Sequence, residues 1–276
     1  MPRIAEFVDF LESFAPVPLA EDWDNVGLLI GNRERDVSAA MTCLTLTPDV
    51  ADEAVREKAQ LVVSHHPVLF RPTQRLTADD AQGRMLLQLI ESGVAVYSPH
   101  TGYDSAAEGI NHQLAEALEL KNIGVLRPAA LDNGDVTPSP QLDAAHAAIG
   151  GGRFGSLSKP IELSRFVEVV AKRLGSAGIQ YVGDAKRLVQ TVAVACGSAA
   201  EFLTDAQTRG CDVLVTGEAR FHACLEARTA GIALILAGHY ATERPGVERL
   251  AAVLGDRFSD VRVWASGAES DPIQWA

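Results

Sequence analysis

Short apolar runs alternate with stretches of helical spacing along almost the whole 276-residue chain, and this alternation most limits the folds open to it. "AAMTCLTLT" is rich in β-formers and is followed by "PDVADEAVREKA", a helix opened by Pro48. "QLVVS" is a second strand. "DDAQGRMLLQLIESG" is a helix closed by Gly93, "VAVYSPH" a third strand, and "DSAAEGINHQLAEALEL" returns to helical spacing. After an interval the order resumes with "IELSRFVEVVAKRLGSAG", "LVQTVAVACG", "SAAEFLTDAQTRG", "CDVLVTG", "EARFHACLEARTAG", "IALILAG", "TERPGVERLAAVLGD" and "VRVWAS". Strand followed repeatedly by helix predicts an α/β fold, a mainly parallel mixed sheet with helices on its faces.

The two stretches resemble each other. "AQLVVSHHPVLF" corresponds to "CDVLVTGEARFH", and "SGVAVYSPHTGYDSAAEGINHQLAEAL" to "AGIALILAGHYATERPGVERLAAVL". In the second pairing a strand leads to a histidine, then to a carboxylate four residues later: His100 and Asp104 in one half, His239 and Glu243 in the other. We therefore expect two similar α/β halves, 1–125 and 161–276, joined by a linker or irregular excursion over 126–160, where "RPAALDNGDVTPSPQ" has no lasting period. A duplication of this kind predicts that both sets of strand ends face a shared metal-binding cleft, since ligands of open parallel sheets gather at the carboxyl ends of the strands.

His65, His66, His100 and His239 each follow an apolar strand directly, whereas His112 and His146 sit in polar, helix-like surroundings and read as surface or boundary residues. Four imidazoles at strand ends, with Asp104 and Glu243 nearby, form a metal-ligand pattern. Side chains of neighbouring strand residues point to opposite sides, and Pro67 keeps His66 extended. The splayed pair suits two ions, which in such sites lie roughly 3.5–4 Å apart, with Asp104 or Glu243 able to bridge them. Imidazole and carboxylate without thiolate favour zinc, iron, manganese, cobalt or nickel. Two divalent ions against two carboxylates leave positive charge for an anionic small-molecule substrate.

The net charge of −12 argues against a general nucleic-acid partner. Cys43, Cys196, Cys211 and Cys224 form no C-x-x-C pair and read as buried thiols in a reduced, cytoplasmic setting. "MPRIAEFVDFLESFAP" is an amphipathic helix rather than a signal peptide, and no apolar stretch is long enough for a membrane span. "GGGRFG" at 150–155 formally fits G-x-G-x-x-G. With Pro160 following and no helix opening from it, it reads as a turn leading into a strand.

"EDWDNVGLLIG", "SHHPVLF", "HTGYDSAAEGINHQLA", "CGSAAEFL", "TGEARFH" and "GHYATE" together resemble the GTP cyclohydrolase 1 type 2 homologues, also called Nif-three-like proteins, in register from near residue 20 to about 255. The resemblance implies a two-domain α/β fold with a dinuclear metal site, commonly in a toroidal homohexamer. It implies His65, His66, Asp104, His239 and Glu243 as ligands, with Glu243 as the bridge. His100 then orients a ligand or moves protons, so His100 and Glu243 are the catalytic candidates. Glu218 and His222 are candidates for supporting or substrate contacts, with a plain helix-face role as the alternative. Trp23, Asp24 and Asn25 either line the cleft or form a structural turn. The interval of 125–160 is too short for the extra domain of some longer members. Two functions follow: a metal-dependent hydrolase acting on a nucleotide or phosphorylated small molecule through metal-bound hydroxide, or a non-catalytic metal-binding scaffold or regulatory protein.

Overall fold

The computed structural model describes residues 1–129 and 149–275. It forms two compact units, Met1–Tyr103 with Arg244–Pro272, and Asp104–Glu243 with Ile273–Ala276. These are not the successive halves 1–125 and 161–276, because the C-terminal stretch returns to the first unit.

In the first unit the helices are α1 (Ile4–Phe14), α2 (Pro48–Arg56), α3 (Ala81–Glu91), the first part of α4 (His100–Ser105) and the larger part of α9 (His239–Arg257). Its strands are β1 (Gly27–Ile30), β2 (Ala39–Cys43), β3 (Leu61–Ser64), β4 (Ala95–Ser98) and β11 (Arg262–Ala265), in the order β1-β4-β3-β2-β11. All neighbours are parallel except the β1–β4 edge. Every residue of β2, β3 and β4 is buried, as expected of strands covered on both faces. Asp80 caps α3, its carboxylate accepting from the Gly83 N–H at 2.7 Å. Val50, Ala51 and Ala54 of α2 then meet Met85, Leu86 and Leu89 of α3 over Met41, Val62 and Val96 of the sheet. Each fully buried large aliphatic side chain there contributes about 1.5–3 kcal/mol.

The second unit contains α5 (Ile110–Ala117), α6 (Leu163–Leu174), α7 (Leu203–Thr208), α8 (Phe221–Ala230) and the start of α9 (His239–Arg257). Its sheet runs β5-β6-β8-β9-β10-β7, from β5 (Lys121–Pro128), β6 (Gly150–Glu162), β7 (Gln180–Val182), β8 (Leu188–Ala195), β9 (Val213–Thr216) and β10 (Ala233–Leu236). β8, β9 and β10 are parallel, and the outer strands β5, β6 and β7 run antiparallel to their neighbours. The suspected duplication is therefore visible in topology: three parallel strands with an antiparallel edge strand beside the third, once as β2-β3-β4-β1 and once as β8-β9-β10-β7.

Several elements differ from expectation. Of the linker assigned to 126–160, residues 130–148, including His146, lie outside the described residues; Gly150–Pro160 instead belong to β6. Glycines carry no hydropathy signal, so 150–155 read as a turn leading into a strand, whereas they are the beginning of the strand itself. Gly150 (φ +141°) and Gly152 (φ +62°) supply backbone angles that a side chain resists, and Pro160 falls where the β6–β8 register shifts. The helix expected from 104 to about 120 is two, separated before Gly109, which is the N-cap of α5. The final helix starts at His239 itself and carries Pro245 inside it.

Candidate metal centre

In the first unit the parallel ladder runs on past the end of β3, because the His65 N–H donates to Cys43 C=O at 2.8 Å and the His66 N–H to Leu44 C=O at 2.9 Å. Ser98 Oγ–H holds the His65 carbonyl at 2.7 Å. The His65 and His66 rings lie 5.2 Å apart, tilted by 50°, and His100 sits 5.2 Å from one and 5.5 Å from the other. One ligand nitrogen from each of the three lies within 4.8 Å of the others. The imidazoles thus converge. The strict alternation assumed from the sequence does not apply, because both residues lie beyond the last residue of the strand.

Each outer ring is held by a neighbour. Thr45 Oγ1 meets His66 Nδ1 at 2.8 Å, and the Thr45 N–H is itself held at 2.6 Å by Glu269. His100 Nδ1 meets Asp24 Oδ1 at 2.7 Å, which leaves Nε2 as its second donor position. Asp24, whose side chain has no exposed area, also accepts from the Thr101 hydroxyl and N–H. Burial raises its pKa, but the His100 and Thr101 hydrogen bonds outweigh that and bring it down to about 2. A carboxylate behind an imidazole is the usual device for fixing ring orientation at a metal. His100 has φ +28°, a strained backbone position of the kind that clusters at functional sites. Of the Trp-Asp-Asn stretch, Asp24 supports His100, Asn25 donates to Leu69 C=O at 2.6 Å, and Trp23 is exposed.

In the second unit α9 opens directly after β10, so His239 and Glu243 lie one turn apart on one helix face. His239 Nε2 is 3.0 Å from Glu243 Oε2, and its Nδ1 is 3.1 Å from Glu218 Oε1 at the end of β9. Burial lowers the His239 pKa, yet Glu243 and then Glu218 overcome it and hold the imidazole at about 9. Glu243 is buried. Asp104 accepts from the Cys196 thiol at 3.2 Å. Asn111 locks the pair, donating to Asp104 C=O at 3.0 Å and accepting from the Cys196 N–H at 2.8 Å. Burial first, and then Asp104 and Glu243, push the Cys196 thiol well up. Within each unit, imidazole and carboxylate groups are donors of the kind that borderline divalent ions prefer.

Gly197, in the turn after β8, has φ +65°, and a Cβ there would collide with Glu243 Oε1. Gly197→Ala is expected to lose about 1–3 kcal/mol of stability from backbone strain alone and to displace the Glu243 carboxylate. The midpoint of urea unfolding should fall accordingly.

His222 is exposed on α8 beside Phe221, and His112 forms an i,i+4 contact with Glu116 at 3.6 Å. Sequence reasoning missed Thr45, Glu269, Asn111 and Cys196, because each acts through partners far along the chain. Glu218 could be found by aligning the two halves, since it stands where His66 stands in the first.

A family model described as Duf34/NIF3 (NGG1p interacting factor 3) matches residues 2–272. A "GTP cyclohydrolase 1 type 2 homolog" of Streptomyces coelicolor is 34% identical, covering 99% of this chain and 94% of its own length. One of Clostridium acetobutylicum is 33% identical over 89% of this chain and 87% of its own. Among solved structures, a Staphylococcus aureus hypothetical protein superposes with a TM-score of 0.88 at 26% identity, covering 100% of both chains.

Proposed function

Starting from the premise that this chain belongs to the Duf34/NIF3 family, we propose that it is a dinuclear metal-binding protein that hydrolyses a nucleotide or a phosphorylated small molecule. The observation that carries the reading is the convergence of His65 and His66 with His100 beside them, one ring nitrogen of each lying within 4.8 Å of the others. The proposed ligands are His65, His66, Asp104, His239 and Glu243, with Glu243 as the bridge. Divalent ions bound there would supply Lewis acidity, polarising oxygens of substrate and water.

The remaining roles belong to the chain's own groups. His100, oriented by Asp24 through Nδ1, accepts or returns a proton at Nε2. Thr45 and Glu218 hold the far nitrogens of His66 and His239, which fixes which nitrogen of each ring is presented. Two relatives carry the name "GTP cyclohydrolase 1 type 2 homolog", so we would try nucleotides first. A cytoplasmic homohexamer is the proposed working form.

The test is turnover. Protein refilled with manganese, zinc or iron is screened against nucleotides and phosphoesters. The expected result is hydrolysis that disappears in His100→Asn while bound metal stays at the wild-type level. Metal-loaded protein that turns over nothing in the screen returns the reading to a non-catalytic scaffold.

A further inference from the structure

Trp23 and Phe70 are 58% and 47% exposed, yet the chain holds both in place. Trp23 lies between Glu21 and Asn25: the Glu21 N–H donates to Thr101 Oγ1 at 3.0 Å, and Asn25 donates to Leu69 C=O at 2.6 Å. Phe70 follows Val68 and Leu69, which pack against the first unit's core, and Gln82 holds the Val68 carbonyl at 3.0 Å. The Asn25 bond ties the two segments together directly beside both rings.

The rings meet edge to face, with centroids 5.9 Å apart and planes at 67°. His100 lies 6.1 Å from Trp23 and 6.4 Å from Phe70, again edge-on. Among the described residues, the other exposed aromatic rings, Tyr181, Phe221 and Trp275, make no such pair. Leaving an indole and a phenyl ring in water forgoes the burial free energy of two of the largest apolar side chains. Here that exposure sits on anchored backbone and touches an imidazole of the histidine cluster.

We infer that Trp23 and Phe70 form a subsite for a flat heteroaromatic ring, whose attached polar group reaches His65, His66 and His100. An edge-to-face corner offers one ring face and one ring edge at once. A third flat ring can stack on the first and meet the second at its edge, which satisfies the quadrupoles of both; an aliphatic group gains only area. Stacking of this kind is worth about 1–3 kcal/mol per ring. The inference deepens the proposed function by naming the substrate class, and it rests on that reading only in placing the polar group at the cluster.

Adenosine 5′-monophosphate and ribose 5-phosphate share a phosphate and differ by the ring, so their affinities for the full chain, with and without manganese, test the subsite. The nucleotide is expected to bind at least about 10-fold more tightly and to quench tryptophan emission. Trp23→Ala and Phe70→Ala should each erase that preference and leave ribose 5-phosphate binding unchanged, and Trp23→Phe should restore part of it. Thermal melts identify a variant that fails to fold, in which case the Trp23→Phe comparison decides. Equal affinity for the two compounds in the wild type would overturn the inference, even if the metal-loaded protein hydrolyses phosphoesters. A ring preference without turnover would sink only the hydrolase reading. If Trp23→Ala keeps the preference but changes the mass by light scattering, the rings belong to a subunit contact instead.

Discussion

Glu243→Gln is expected to leave the fold intact and to weaken divalent-metal binding by at least about 100-fold, the upper range for losing even a group that only supports a ligand. The side chain is buried and its Oε2 is 3.0 Å from His239 Nε2, so the substitution removes one proposed ligand and disturbs its neighbour. Glutamine fills the same volume and can still hydrogen-bond, which separates loss of charge from loss of packing. In the metal-free protein the Glu243 carboxylate is the main group holding His239 at about 9 against the effect of burial. That proton must leave before Nε2 can coordinate, so metal uptake should release protons and strengthen as the pH rises toward 9. The variant should show a shallower pH dependence as well as a weaker site. Metal-to-protein ratios after dialysis, with His112→Ala as a control outside the cluster, provide the measurement. An unchanged ratio in Glu243→Gln would remove Glu243 from the ligand set.

The parts of this molecule visible in its sequence are those governed by local periodicity. β2, β3 and β4 read as continuous apolar runs because they are covered on both sides, and β8, β9 and β10 likewise. The histidines stood out because an imidazole directly after such a run breaks the pattern. β5 leaves no trace and the start of β6 reads as a turn, because strands rich in glycine and in half-exposed positions carry little alternation. β7 was lost because three residues hold too little pattern to notice. Groups whose role is tertiary were also invisible. Cys196 looks like any buried thiol until Asn111 and Asp104 are seen around it. The return of β11 to β2 joins segments more than two hundred residues apart, and no local signal announces it. Glu53 is the clearest case: within "DEAVREKA" it reads as one more charge on a solvated helix face, yet it is 7% exposed.

Glu53 closes the first unit, and Glu53→Ala is expected to cost about 3 kcal/mol or more. One oxygen accepts from Trp264 Nε1–H at 3.0 Å and from the Gly267 N–H at 3.2 Å. The other accepts from Ser266 Oγ–H at 2.6 Å and from the Ala268 N–H at 3.0 Å. The carboxylate thereby fastens the end of β11 to α2 across more than two hundred residues of chain. Truncation leaves these donors without their charged acceptor, and a hydrogen bond to a charged group is worth roughly 1.5–3 kcal/mol. Urea unfolding should show a lower midpoint with an unchanged slope.

Acid supplies a second readout of the same group. Burial raises the Glu53 pKa, but the hydrogen bonds, led by Ser266, outweigh it and leave the folded-state value lowered. A depressed carboxylate contributes stability that is present above the ordinary glutamate value of about 4.3 and is lost as the pH falls through the folded-state value. The gap between wild type and Glu53→Ala should therefore be widest near neutrality and narrow on acidification. Glu53→Gln keeps one acceptor oxygen without the charge, so it should fall between the two at neutral pH and show a flatter acid limb than the wild type. A gap that stays constant down to strongly acidic pH would mean that packing, not the ionised carboxylate, holds β11 in place.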